Sequence, residues 1–149
     1  MVQVMTNCDS VVELRRAYRT TPDAIYKAWT DPSTMGRWMA PRPYVCEKVE
    51  LDVRAGGRYR IAMFNPENGN RPVVGGVYES VDPGKKLVFT WKWENNESCQ
   101  EDSRVTVELI PIEGGTEVRL LHEKLPNVKE RDSHVKGWSA CLEQLEEGI

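Results

Sequence analysis

The sequence lacks the patterns that mark metal, redox and disulfide chemistry. Its 149 residues include four cysteines, which stand far apart as Cys8, Cys46, Cys99 and Cys141. None belongs to a Cys-x-x-Cys motif, and the chain has only two histidines. Neither a zinc site nor a thiol redox motif is therefore predicted. In a reducing compartment we expect four separate, inert thiols.

Membrane, secretion and nucleic-acid signals are also missing. No apolar run approaches the roughly 20 residues that span a bilayer. The polar segment Met1–Ser10 lacks the apolar centre of a signal peptide, and we expect this segment to be mobile. The 20 basic and 23 acidic side chains are interspersed, without a basic stripe that would indicate nucleic acid. We therefore expect a cytoplasmic protein that neither inserts into membranes nor binds nucleic acid.

What is present is the composition of one globular domain over residues 1–149. Hydrophobic residues make up 40% of the chain and charged residues 29%. A chain of this length buries roughly 68–70% of its unfolded surface, which provides a core without disulfide or metal support. No repeat or linker divides it.

The first part of the chain predicts a strand followed by two short helices. Val11–Arg19 has the composition of a strand. Thr21 can cap a helix that has Pro22 at its first position, and Asp31 before a proline ends this helix. A second helical turn is predicted over Ser33–Trp38, with its first residue as the cap.

From Tyr44 the hydrophobic period changes to two, which is typical of half-buried strands. In the first of them, Val45, Val49, Leu51 and Val53 are predicted to share the buried face. Short connections favour antiparallel pairing. Further strands are predicted over Arg58–Asn65, Val73–Val81, Leu87–Trp93, Arg104–Ile110 and Thr116–Glu123.

The C-terminal segment returns to helical spacing, with one largely apolar stripe over about Lys129–Glu147. Together these elements predict an α+β fold. We expect a curved antiparallel sheet of six or seven strands around a long C-terminal helix. Two short helices lie between the first and second strands.

Several ordered motifs carry a resemblance to a known family. They are Ala28–Pro32, Arg37-Trp38 with Pro41, Asp52–Tyr59, Gly76–Glu79, Leu87–Trp91, Gly115–Val118, His122 and Gly137-Trp138. The chain resembles the SRPBCC superfamily, and specifically the bacterial proteins related to the C-terminal domain of the activator of the ninety-kilodalton heat-shock-protein ATPase. This resemblance implies the START-like helix-grip fold with a deep internal cavity. Members of the superfamily bind lipids, sterols, polyketides and other apolar molecules.

Aromatic residues are the strongest functional signal. Phe89, Trp91 and Trp93 alternate along one strand and project to one face, where large rigid rings suit a ligand-facing wall. The alternative is that these rings only fill the core against the last helix. The predicted ligand-binding residues are Trp38, Met39, Tyr59, Met63, Tyr78, Phe89, Trp91, Trp93, His122 and Trp138, with Trp38 and Met39 near the mouth.

The two histidines receive different predictions. His122 points inward by strand alternation, where it can be a hydrogen-bonded core residue, orient a ligand or act as a general base. No nucleophile or acid is fixed beside it, so no catalytic residue is predicted. His134 is expected to be solvated. Arg60 is expected to pair with a carboxylate on the solvent face, the alternative being a ligand carboxylate.

Three functions stay open at this point. The first is non-catalytic binding of a small apolar or aromatic molecule, lipid-like or polyketide-like, in an internal cavity. The resemblance implies a second, a co-chaperone-like module that affects a heat-shock chaperone ATPase. The third is a cyclase- or hydrolase-like enzyme using His122 with Tyr59 or Tyr78. No cofactor or metal is predicted, and both a monomer and a homodimer are compatible with the sequence.

Overall fold

The computed structural model describes residues 3–4, 11–94 and 102–149. Among them, eight strands form one antiparallel sheet. The strands are β1 (Gln3–Val4), β2 (Val12–Tyr18), β3 (Val45–Leu51), β4 (Arg58–Phe64), β5 (Val73–Asp82), β6 (Lys86–Trp93), β7 (Ser103–Ile112) and β8 (Gly115–Glu123). The helices are α1 (Pro22–Thr30), α2 (Pro32–Met35) and α3 (Val128–Gly148).

The predicted α+β helix-grip architecture is confirmed. The spatial order of the strands is β1-β2-β8-β7-β6-β5-β4-β3. The two-residue β1 extends the edge beside β2, so the sheet has one short strand more than predicted. Apart from β1, the segment Met1–Ser10, which is predicted to be mobile, lies outside the described residues. Cys8 and Cys99 also lie outside them. Cys46 and Cys141 are free thiols.

The two short helices begin as their capping residues dictate. The Thr21 hydroxyl accepts a hydrogen bond from the Ala24 amide at 3.2 Å, which caps α1. For α2 the prediction of Ser33 as the cap is wrong. Asp31 Oδ2 accepts from the Thr34 amide at 3.3 Å and from its hydroxyl at 2.6 Å. Pro32 takes the first helical position, so the cap is the residue before it.

Strand β3 departs from its predicted alternation. The register against β4 shifts between Cys46 and Lys48, and Val45 is 50% exposed. Cys46 and Val49 both pack against the core. A bulge adds one residue and reverses which side chains face inward. The prediction that Val45 shares the buried face of Val49 is therefore wrong.

Helix α3 is anchored to the rest of the fold mainly through its C-terminal half. Leu142 and Leu145 are fully buried, and the Tyr18 hydroxyl donates to the Leu142 carbonyl at 2.6 Å. Gln144 Nε2 donates to the carbonyls of Trp38 and of Ala40, at 3.0 and 2.8 Å. These contacts hold the C-terminal half of α3 against the core. No helix among the described residues is long and apolar enough to cross a membrane.

Candidate functional site

A pocket of about 390 Å³ lies beside the N-terminal half of α3. This volume is in the range of small-molecule sites. Its other walls come from β4, the start of β5, the end of β6 and the segment after α2. The lining residues are Met39, Pro41, Tyr44, Met63, Pro72, Val73, Trp91, Trp93, Glu130, Ser133, His134, Gly137, Trp138 and Cys141.

One face of α3 forms a whole wall of the pocket. Residues three and four positions apart share a helix face, which here runs from Glu130 to Cys141. At 1.5 Å per residue this wall is roughly 16 Å long. Ser133 is exposed and Cys141 is buried, so the wall runs from solvent to the core.

The absence of a side chain at Gly137 leaves room in the middle of this wall. A Cβ atom built there would meet only Pro41 Cγ, at 4.0 Å. Gly137 lies in the interior of α3, where glycine is unfavourable. The position is therefore open because of the residue type and not because of a backbone requirement.

Three indole rings form the aromatic part of the lining. The ring centroids of Trp91 and Trp93 are 5.6 Å apart at 89°. Those of Trp91 and Trp138 are 4.9 Å apart at 46°. Trp91 and Trp138 are buried, while Trp93 is half-buried. Trp91 therefore packs edge to face with Trp93 and at a tilt against Trp138, and it contacts both of the other rings.

His122 lies behind the indoles and joins them through hydrogen bonds. Trp138 Nε1 donates to His122 Nδ1 at 3.1 Å. His122 Nε2 lies 2.7 Å from Ser103 Oγ, and that hydroxyl donates to the Trp91 carbonyl at 2.9 Å. We assign the proton to His122 Nε2, since Nδ1 must accept and the Ser103 proton is already used.

This network keeps His122 neutral. Burial, and to a lesser degree the neighbouring His134, hold the pKa of His122 well below 6.5. A second ring proton would point at the indole N–H of Trp138. Both ring nitrogens are engaged, so His122 has no free position from which to take a proton from a pocket ligand.

His134 holds Trp93 at the pocket. Trp93 Nε1 donates to His134 Nε2 at 3.1 Å, and His134 Nδ1 donates to the Glu130 carbonyl at 2.7 Å. Burial lowers the pKa of His134. The imidazole is only 8% exposed, so the prediction that it is solvated is wrong. The sequence contained a signal for this burial: His134 precedes Trp138 by four residues and therefore shares its helix face.

The structure brings five of the ten predicted ligand-binding residues to this pocket. They are Met39, Met63, Trp91, Trp93 and Trp138. Their role in binding a ligand stays a prediction. The lining residues that sequence reasoning missed include Tyr44, Glu130, Gly137 and Cys141.

The other five predicted residues lie elsewhere. Tyr59, Tyr78 and Phe89 pack on one another with ring centroids 5.4 to 6.0 Å apart. The space among them is about 10 Å³, too small for a ligand. Trp38 is not near the mouth: it is fully buried, and its Nε1 donates to the Ala28 carbonyl at 3.1 Å. His122 supports the lining from behind.

The remaining reactive groups that the structure describes do not supply a nucleophile or a free cation to the pocket. The Cys141 thiol donates to the Met39 carbonyl at 3.0 Å, and burial raises its pKa. Such a thiol is a poor nucleophile. Arg60 pairs with Glu94 through two hydrogen bonds of 2.8 and 3.2 Å, as expected for the solvent face. Within the described residues, no three or more side chains of metal-binding type come together.

Residues 19–149 match the family described as Activator of Hsp90 ATPase homolog 1-like protein. The chain belongs to this family. The resemblance found in the sequence motifs is thereby confirmed. Comparison with curated proteins gives no match.

Several solved structures share the fold of this chain. A protein from Chromobacterium violaceum is 27% identical, with a TM-score of 0.86 over 93% of this chain and 95% of that chain. The AHSA1 protein from Silicibacter pomeroyi is 25% identical, with a TM-score of 0.82 over 93% of this chain and 96% of that one. An AHSA1-like protein from Aeromonas hydrophila is 18% identical, with a TM-score of 0.79 over 93% and 91%, and this likeness concerns the fold alone.

Proposed function

We propose that this AHSA1-like protein binds a small apolar or aromatic molecule in the pocket beside α3 without transforming it. The observation that carries the proposal is the contrast between the two halves of α3. The C-terminal half is packed against the core through Leu142 and Leu145. The N-terminal half borders about 390 Å³ of space lined by three indoles.

The non-catalytic part of the proposal rests on the state of the polar groups. The His122 ring nitrogens are occupied by Trp138 and Ser103. The Cys141 thiol has a raised pKa. General-base and nucleophilic catalysis both need a group within reach of the substrate and in the reactive protonation state. Neither residue meets both conditions.

The expected affinity is modest. A ligand that buries about 200 Å² of apolar surface gains roughly 5 kcal/mol from burial at about 25 cal/mol/Å². Losses of translational freedom oppose this gain, while aromatic contacts add to it. We therefore expect dissociation constants in the range from about 1 μM to about 1 mM.

The test uses Gly137, where the pocket can be filled without harming the helix. A panel of apolar and aromatic compounds is screened by thermal shift, and hits are measured by calorimetry on the wild type, Gly137→Leu and Gly137→Ala. A ligand at a free concentration of about 100 times its dissociation constant adds about 2.7 kcal/mol to the free energy of unfolding. Gly137→Leu is expected to abolish this gain because its side chain occupies the site.

Gly137→Ala is the matched control. It adds one methyl group with a single 4.0 Å contact and is expected to retain binding. Gly137→Ala removes a glycine from a helix interior, which favours folding by about 0.8–1 kcal/mol, and leucine is also a good helix former. We therefore expect both variants to fold. A panel without a single hit would end the proposal. Equal binding by Gly137→Leu and the wild type would place the ligand elsewhere.

A further inference from the structure

The charge of the pocket narrows the chemical class of its ligand, an inference that rests on the function proposed above. Among the described lining residues, Glu130 alone carries a formal charge, and neither lysine nor arginine is present. Glu130 is half-buried. Within the described part of the chain its carboxylate makes no ion pair or hydrogen bond, while its backbone amide donates to Asn127 Oδ1. The negative charge of Glu130 at the pocket thus has no partner among the residues that the structure describes.

Two arginines that adjoin the lining are already paired with carboxylates. Arg42, which follows the lining residue Pro41, pairs with Glu147. Arg71, which precedes Pro72, pairs with Glu47 at 3.1 Å. These arginines therefore contribute little net charge to the pocket. An anionic ligand would face the Glu130 carboxylate without a lysine or arginine among the described lining residues to balance it.

The aromatic lining next to Glu130 also suits a cation. Electron-rich indole faces attract ammonium groups, and tryptophan is the best of the three aromatic residues in this respect. His134 ties the two features together, since it accepts from Trp93 Nε1 and donates to the Glu130 carbonyl. The indole and the first turn of α3 therefore hold a fixed relation to each other.

The dipole of α3 acts in the opposite direction. A helix N-terminus carries about half a positive charge, which disfavours a cation. The Glu130 carboxylate carries a full negative charge in the first turn, where it more than offsets the dipole. Of these two contributions the carboxylate is the larger, and it favours a positive group at this end of the pocket.

We propose that the ligand is a hydrophobic amine, cationic at neutral pH. Its ammonium group lies between the Glu130 carboxylate and the Trp93 indole. Its apolar part extends along α3 towards Trp138 and Cys141, where the lining is buried. The pocket then selects amines over alcohols and carboxylates of the same shape.

The test compares three probes that share one ring system: 1-naphthylmethylamine, 1-naphthylmethanol and 1-naphthoate. Calorimetry at low salt measures each probe with the wild type, Glu130→Gln and the control Glu143→Gln. Glu143 is exposed on the same helix and does not line the pocket. We expect the amine to bind about fivefold or more tightly than the alcohol, with the naphthoate weakest.

The variants and salt separate a charge effect from a shape effect. Glu130→Gln is expected to bring the amine to the affinity of the alcohol, while Glu143→Gln retains the difference. Higher salt should narrow the gap between the amine and the alcohol in the wild type. A gap that survives in Glu130→Gln would overturn the assignment of Glu130.

The outcomes also separate this inference from the proposed function. If the alcohol or the naphthoate binds as tightly as the amine, the preference for amines is wrong while binding in the pocket stands. If none of the three probes binds, the amine proposal falls. The wider panel with the Gly137 variants then decides the binding function independently.

Discussion

The two buried histidines should make the stability of this protein depend on pH in a defined direction. The pKa of His122 lies well below 6.5 because of burial and the nearby His134, and burial also lowers the pKa of His134. Their ring centroids are 4.8 Å apart, so protonation of one further disfavours protonation of the other.

The direction of the pH dependence follows from the linkage between proton binding and folding. Each lowered pKa means that the unfolded chain binds protons more readily than the folded protein. The resulting stability is fully present above about pH 6.5 and is lost as the pH falls below it. One histidine that stays neutral in the fold contributes a slope that approaches about 1.4 kcal/mol per pH unit, and a second one can at most double it.

The histidine effect must be measured at pH values where the carboxylates do not titrate. Arg104 lowers the pKa of Glu79, Arg16 lowers that of Glu146, and the contact with Thr34 lowers that of Asp31. The stability that these groups contribute falls mainly as the pH drops below their ordinary values of 4.5 and 3.8. Between pH 7.5 and pH 5 the histidines therefore dominate.

Urea unfolding followed by tryptophan fluorescence at half-unit pH steps measures the effect. His122→Asn is the informative variant, because an amide can accept from Trp138 and donate to Ser103 without titrating. We expect it to remove a large part of the slope, while Lys136→Gln, an exposed control on α3, changes nothing. A wild-type stability that is flat between pH 7 and pH 5, or a slope unchanged in His122→Asn, would refute the argument.

Three further predictions concern packing and reactivity. Leu142→Ala removes a fully buried side chain and should cost about 2–5 kcal/mol of unfolding free energy; a urea-measured loss below about 1 kcal/mol would contradict the tight packing of this half of α3. Arg16 is buried, and among the described residues its Nε and Nη1 lack a hydrogen-bond partner. Its Nη2 pairs with Glu146 at 2.8 Å, and its guanidinium lies 4.7 Å from the centroid of the Tyr18 ring. Because the Glu146 carboxylate that remains is exposed, Arg16→Met leaves no buried charge and should be close to neutral or stabilising in the same assay; a loss above about 3 kcal/mol would refute this reasoning. Burial raises the pKa of Cys141 and raises that of Cys46 to about 11. Iodoacetamide should therefore modify Cys141 only after unfolding, as detected by peptide mass mapping. Rapid labelling of Cys141 in the native protein would contradict this prediction.

Much of the fold was predictable because its signals are local. Thr21 and Pro22 mark the start of α1 through chemistry within one turn. The alternation of Leu87, Phe89 and Trp91 marks the buried face of β6, since successive side chains of a strand point to opposite faces. The family motifs add the order of these elements.

The position of the pocket was only half predictable. Phe89 and Trp91 occupy the same face of the same strand, yet Phe89 packs against Tyr59 and Tyr78 while Trp91 lines the pocket. What separates them is the local distance between the sheet and the elements that cover it. That distance depends on contacts far apart in the chain, such as Gln144 with the Trp38 carbonyl.

The sequence by itself determined most of the secondary structure, because hydrophobic period, capping residues and turn residues act over a few positions. Its ordered motifs carried the family resemblance, which implies the helix-grip architecture. Only the tertiary structure decided which rings border empty space, that the bulge after Cys46 turns Val45 outward, and that His134 is buried under Trp93. These features depend on pairing between segments distant in the chain. The residues around one position do not specify its distance to a residue that is remote in the chain and becomes a neighbour only on folding.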